Sequence, residues 1–137
     1  SGGGVTGGRR TGVTMATILI ADDSATSRKA ISAVLEPLGH RILHADDGRD
    51  AWDKIQTLKP DLVILDILMP QMGGFEISRQ MKNTASHSHI GIIILTSLKE
   101  QTNKYWGLRQ GADYYLTKPA HPKELVSCVS TLLETIK

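Results

Sequence analysis

The chain has 137 residues, a length that suits one domain around a single core, and its 40% hydrophobic and 22% charged residues separate it from disordered and collagen-like sequences. Its formal charge of +2 comes wholly from Arg9 and Arg10; from Met15 onward basic and acidic residues balance, and nothing in the composition suggests a nucleic-acid partner. No apolar run approaches the roughly 18 residues of a membrane helix, and the single cysteine, Cys128, excludes an internal disulfide or a zinc knuckle and suits a reducing, cytoplasmic setting.

Residues 1–14 (SGGGVTGGRRTGVT) carry six of the 13 glycines and no periodic apolar pattern, so they read as an expression-tag remnant ahead of one domain over residues 15–137. A first strand is expected at Thr17–Ala21. Ser24 can cap a helix reaching about Glu36, with Ala30, Ile31, Val34, Leu35 and Leu38 apolar and Pro37-Leu38-Gly39 closing it. A second strand, Arg41–Ala45, looks like an edge, and a second helix from Arg49 to Leu58 buries Ala51, Ile55 and Leu58 before Pro60 stops it. The third strand is Asp61–Leu65 and the third helix about Phe75–Asn83. The fourth strand, Ile90–Leu95, precedes a helix over about Lys99–Gln110 with an apolar stripe of Tyr105, Leu108 and Ala112 and a left-handed stop at Gly111. Strand five is Tyr114–Thr117 and helix five about Pro122–Ile136, with a stripe of Leu125, Val129, Leu132 and Ile136.

Five strands alternating with five helices predict an α/β fold, a doubly wound five-stranded parallel sheet with right-handed crossovers. Runs one, three and four are almost continuously apolar, as central strands covered on both faces must be. A ligand site then lies outside the carboxyl ends of the strands. Strand one ends in Asp22-Asp23, strand three in Asp66, strand four in Thr96-Ser97 and strand five in Lys118-Pro119. Three carboxylates meeting at one edge raise one another's proton affinity unless a cation intervenes, and a magnesium ion suits a few carboxylates, waters and a phosphoryl oxygen. Thr96 and Lys118 add a hydroxyl and an ammonium for phosphoryl oxygens. Any one of these residues alone is a common turn or cap residue; together they make a site.

In ILIADDS (Ile18–Ser24), DILMP (Asp66–Pro70) with GGF (Gly73–Phe75), ILTS (Ile94–Ser97) and GADYYLTKP (Gly111–Pro119), the chain from about Ala16 to Lys137 resembles the receiver domains of two-component response regulators. The resemblance implies a flavodoxin-like sheet in the order 2-1-3-4-5 and a phosphoryl group accepted on Asp66 from a histidine kinase or phosphotransfer protein. It implies Mg²⁺ (or Mn²⁺) held at Asp22, Asp23, Asp66 and the backbone carbonyl of Leu68, with Asp23 the more direct ligand. It further implies phosphoryl-binding Thr96 and Lys118, a switch aromatic at Tyr115 and a cis Lys118-Pro119 bond. Leu68 and Leu98, two residues after the phosphoacceptor and the hydroxyl, would flank a hydrolytic water. The segment Trp106–Pro119 is similar to stand-alone regulators of type IV pilus twitching motility, and chemotaxis-type single receivers share much of it.

The sequence through Lys137 leads to the expectation of no output domain after helix five and of signalling through a protein target on the face of helix four, strand five and helix five, with Trp106 at its edge as a candidate contact. The expected protein is a signalling module that catalyses only its own phosphorylation and dephosphorylation. A phosphate sink draining a shared kinase carries the same motifs. An aspartate-nucleophile phosphatase usually has a second carboxylate two residues past the nucleophile, where this chain has Leu68. Trp52 reads as core, His87 and His89 as solvated loop residues without a role, and Cys128 as an unreactive thiol facing a neighbouring helix or solvent.

Overall fold

The computed structural model describes residues 15–135, so the expectations for residues 1–14 and for Ile136 lie outside the described residues. The elements follow in the order β1 (Thr17–Ala21), α1 (Ala25–Leu35), β2 (Arg41–Ala45), α2 (Gly48–Leu58), β3 (Leu62–Leu65), α3 (Gly74–Lys82), β4 (Gly91–Thr96), α4 (Gln101–Arg109), β5 (Tyr114–Thr117) and α5 (Pro122–Thr135), with a short 3-10 turn, Glu36–Leu38, after α1. All strand pairs are parallel, in the order β2-β1-β3-β4-β5.

Alternation along the strands divides the core in two. Ile18 and Ile20 of β1, Ile64 of β3, Ile93 and Leu95 of β4 and Leu116 of β5 pack against Ile31 and Leu35 of α1 and Leu125, Cys128, Val129 and Leu132 of α5. Leu19, Val63, Leu65, Ile92, Ile94 and Tyr115 face the other way, onto Ala51 and Ile55 of α2 and Ile77 and Met81 of α3. Cys128 is therefore a core residue, and its thiol pKa is raised by burial first and by Glu124 second.

Local chemistry sets the boundaries. The Ser24 hydroxyl accepts from the Ser27 N–H at 3.2 Å and the Asp47 carboxylate from the Asp50 N–H at 2.7 Å, capping α1 and α2. Gly111 is left-handed (φ 103), as expected, whereas α2 ends on a left-handed Lys59 (φ 46) one residue before Pro60. β3 starts at Leu62 rather than Asp61, whose carboxylate accepts from the Thr17 N–H at 2.8 Å and so locks the start of β1. β4 extends to Thr96 because Thr96 pairs with Thr117.

Several side chains depart from the expected stripes. Ala30 is exposed, since Ile31 and Leu35 centre the buried face of α1. Leu58 is 47% exposed because α2 ends there, its core contact already made by Ala51 and Ile55. Tyr105 and Leu108 are exposed as well, since α4 seats on the sheet through Gly107 and, at about 100° per residue, those two positions point about 200° and about 100° away from that face. His87, expected in solvent, is 4% exposed: its ring stands edge-on to Trp52, 5.8 Å between centroids, and the turn Thr84–His87–Ile90 ties the loop down on α2.

Candidate functional site

At the carboxyl edge the parallel ladder runs one residue past the strands. The Asp22 N–H donates to the Ala45 carbonyl (3.1 Å), the Asp66 N–H to Ala21 (3.0 Å) and the Lys118 N–H to Thr96 (2.8 Å). Backbone pairing thus fixes Asp22, Asp66 and Lys118 at one carboxyl edge, on β1, β3 and β5, before any side chain is considered.

The side chains then converge. Lys118 Nζ donates to Asp22 Oδ2 at 2.6 Å, to Asp66 Oδ2 at 2.8 Å and to Ser27 Oγ at 3.2 Å. Asp22 Oδ1 accepts from the Ser24 N–H (2.9 Å) and Asp66 Oδ1 from the Leu68 N–H (3.1 Å). Both carboxylates are buried, at 1% and 6% exposure. Burial alone would lower the Lys118 pKa, but the hydrogen bonds and charges of Asp22 and Asp66 outweigh it and hold the ammonium above its ordinary value. The Lys118-Pro119 peptide is cis, as the resemblance implied.

Thr96 is buried, and its Oγ1 has no hydrogen-bond partner among the described residues. A buried hydroxyl without a partner costs about 1–3 kcal/mol, and this one lies at the carboxyl edge, on the strand next to that of Asp66. Tyr115 is turned inward, its hydroxyl donating to the Leu98 carbonyl at 2.8 Å, and burial, then Glu100 and Asp66, raise its pKa.

The structure does not bring all three acids together. Asp23 is exposed, and among the described residues no three His, Cys, Asp or Glu side chains stand close enough to hold a metal. Lys118 offsets one of the two negative charges of Asp22 and Asp66, which leaves a net negative site open to a cation. The oxygen donors present fit a hard cation, with two buried carboxylates and a third on the residue adjacent to Asp22. Leu68 is 55% exposed and Leu98 half-buried. Trp106 is exposed and stands T-shaped on Tyr105, and the Arg109 guanidinium lies 5.6 Å from the Tyr105 ring centroid.

Two participants escaped sequence reasoning. Ser27 reaches Lys118 from the first turn of α1; its spacing of three from the cap Ser24 was the available signal. Gly74 lets α3 start against Asp66, for a Cβ there would stand 2.5 Å from the Asp66 carbonyl oxygen. Among the described residues no helix is long and apolar enough to cross a membrane.

The family model for the response regulator receiver domain matches residues 18–130. Protein PilH of Pseudomonas aeruginosa is 43% identical over 119 residues, spanning 87% of this chain and 98% of PilH. The phosphate regulon transcriptional regulatory protein PhoB of the same organism is 42% identical over 85% of this chain, which spans about half (51%) of PhoB's length. Among solved structures, the chemotaxis response regulator CheY4 of Vibrio cholerae superposes with a TM-score of 0.79 at 33% identity, covering 87% of this chain and 99% of that one. The Francisella response regulator 1452 receiver domain gives 0.82 at 31% identity, covering 89% and 99%.

Proposed function

The chain belongs to the response regulator receiver domain family, whose members are signalling modules, and from that premise we propose that it accepts a phosphoryl group on Asp66 from the phosphohistidine of a histidine kinase or phosphotransfer protein. The reading rests on one observation above all: a buried strand-end carboxylate, Asp66, gripped by Lys118, with an unsatisfied Thr96 hydroxyl at the end of the neighbouring strand.

In the transfer, an Asp66 carboxylate oxygen forms the new O–P bond as the N–P bond of the donor breaks, and the imidazole nitrogen leaves with the electron pair. Asp22, Asp23 and Asp66 with the Leu68 carbonyl are the residues that would hold Mg²⁺, which supplies charge neutralisation for the incoming phosphoryl oxygens. The Lys118 ammonium and the Thr96 hydroxyl each bind one of those oxygens. Satisfying Thr96 draws the β4–α4 segment inward and releases Tyr115 from Leu98, so that α4, β5 and α5 present a different surface to a protein target. Trp106 is an exposed anchor on that surface.

The similarity along nearly the full length of PilH and the structural likeness to CheY4 support a cytoplasmic, single-domain regulator of motility. Acetyl phosphate with Mg²⁺ is expected to add one phosphoryl group, and Asp66→Asn to abolish the addition. Equal phosphorylation of the Asn variant in intact-mass spectra would overturn the assignment.

A further inference from the structure

An alkyl ammonium has three N–H donors and no acceptor. Lys118 spends two of them on Asp22 and Asp66 and the third on Ser27 Oγ, so its hydrogen-bonding capacity is filled by this chain alone. The Ser27 side chain stands in a groove of about 190 Å³ between α1 and the start of α5, lined otherwise by apolar groups of Ala30, Ile31, Val34, Leu95 and Leu125 together with Lys118 and Pro119. Ser27 is held in turn, its N–H donating to the α1 cap Ser24, whose own N–H donates to Asp22 Oδ1. One short stretch of α1 therefore grips both members of the ion pair.

We propose that Ser27 is a positioning residue for the Asp66 site, its hydroxyl filling the third hydrogen bond of the Lys118 ammonium and so holding the lysine over Asp22 and Asp66 until a divalent cation displaces it. The inference builds on the proposed metal-dependent phosphoryl transfer. Lys118 and a cation compete for the same oxygens, Asp22 Oδ2 and Asp66 Oδ2, since each is already within 2.8 Å of the ammonium. Whatever stabilises the ammonium there opposes the metal. The serine thereby sets the cation concentration at which the site becomes competent.

Two measurements on the full chain test this separately. In metal-free protein the Lys118 ammonium is expected to give a distinct, slowly exchanging ¹H–¹⁵N signal that Ser27→Ala shifts or broadens and Ser27→Thr, which keeps a hydroxyl, preserves. In a Mg²⁺ titration followed by calorimetry, Ser27→Ala is expected to bind about threefold more tightly than wild type, the scale of one modest hydrogen bond lost from the competing state, and Ser27→Thr to bind like wild type. An unchanged Lys118 signal in Ser27→Ala overturns the inference. So does unchanged or weaker Mg²⁺ affinity in that variant when the wild type binds the ion. If wild type binds no Mg²⁺, the proposed metal dependence fails, and the competition inferred here falls with it even where the metal-free spectrum still reports the Ser27 contact.

Discussion

Tyr115 lies against the bare Cα of Gly107. A Cβ on residue 107 would stand 2.8 Å from Tyr115 Cδ2, closer than such carbons approach one another, and a tight 3.3 Å from Ile94 Cδ1. The glycine is what allows the ring to turn in, 7% exposed, and to bond the Leu98 carbonyl while α4 stays seated on β5. Gly107 is the one buried residue of α4, so this face is where the helix meets the sheet.

Gly107→Ala is therefore expected to push the ring outward without the help of phosphorylation. Because burial is the first cause of the raised phenol pKa, an outward ring should titrate closer to an ordinary tyrosine. NMR-monitored titration of Tyr115 checks this. A phenol as strongly shifted in the variant as in wild type would mean that α4 moved instead of the ring.

Thr96 carries the second prediction. Its unpartnered hydroxyl is a cost borne by the resting fold, so the isosteric Thr96→Val should raise unfolding stability by about 1 kcal/mol, the lower end of the penalty for a buried unsatisfied group. The same variant should lose the beryllofluoride-induced change in amide spectra around Tyr115. Urea denaturation showing a destabilised Val variant would place a hidden partner on the hydroxyl and remove the basis of the switch.

The site was legible in the sequence to the extent that backbone pairing dictates it. Asp22, Asp66 and Lys118 directly follow strand runs, and a parallel ladder sets all three at the same carboxyl edge, with β4 between the strands of Asp66 and Lys118. What stayed illegible depended on partners far along the chain. Tyr105 and Leu108 have helical spacing, but which face of α4 is buried follows from Gly107 meeting Tyr115. His87 looks like a polar loop residue until Trp52, 35 positions earlier, covers it. The ion pair of Lys118 with Asp22 and Asp66 stayed illegible for the same reason, since it joins residues 96 and 52 positions apart through side chains that no spacing in the sequence relates.

The third prediction concerns the opposite edge of the sheet. His40 Nδ1 accepts the Ala16 N–H at 3.0 Å, a bond that only an unprotonated nitrogen can take, and burial lowers its pKa against a smaller opposing pull from Asp61. With the folded pKa depressed, the unfolded imidazole binds protons first. Stability is then fully present above the ordinary value and declines as pH falls through it toward the folded pKa. His44, lowered by burial and then by Arg28 and Lys54, adds a slope of the same sign. Denaturation midpoints measured between about pH 7 and about pH 5 should fall with acidity, and His40→Gln should flatten part of that fall. An unchanged slope in the variant would show that the β1 tether is insensitive to protonation.

The last prediction concerns the lifetime of the phosphoryl group. Hydrolysis needs a water in line with the phosphorus, opposite the Asp66 oxygen, and on the proposed phosphoryl transfer Leu68 and Leu98, two residues after Asp66 and Thr96, are the residues expected to border that approach. Leu68 is 55% exposed, and its N–H donates to Asp66 Oδ1. Leu98 is half-buried, with its carbonyl engaged by Tyr115. Neither side chain can hydrogen-bond a water, so nothing orients the nucleophile and the phosphoryl state should persist. The double change Leu68→Asn and Leu98→Glu introduces such groups while leaving both backbone contacts available. It is expected to speed dephosphorylation roughly tenfold, equivalent to about 1.4 kcal/mol of barrier. Decay of the phosphorylated protein, followed by intact mass after the phosphodonor is removed, measures it. Unchanged or slower decay would show that access of water is governed elsewhere in the site, with the Lys118 ammonium the next group to examine.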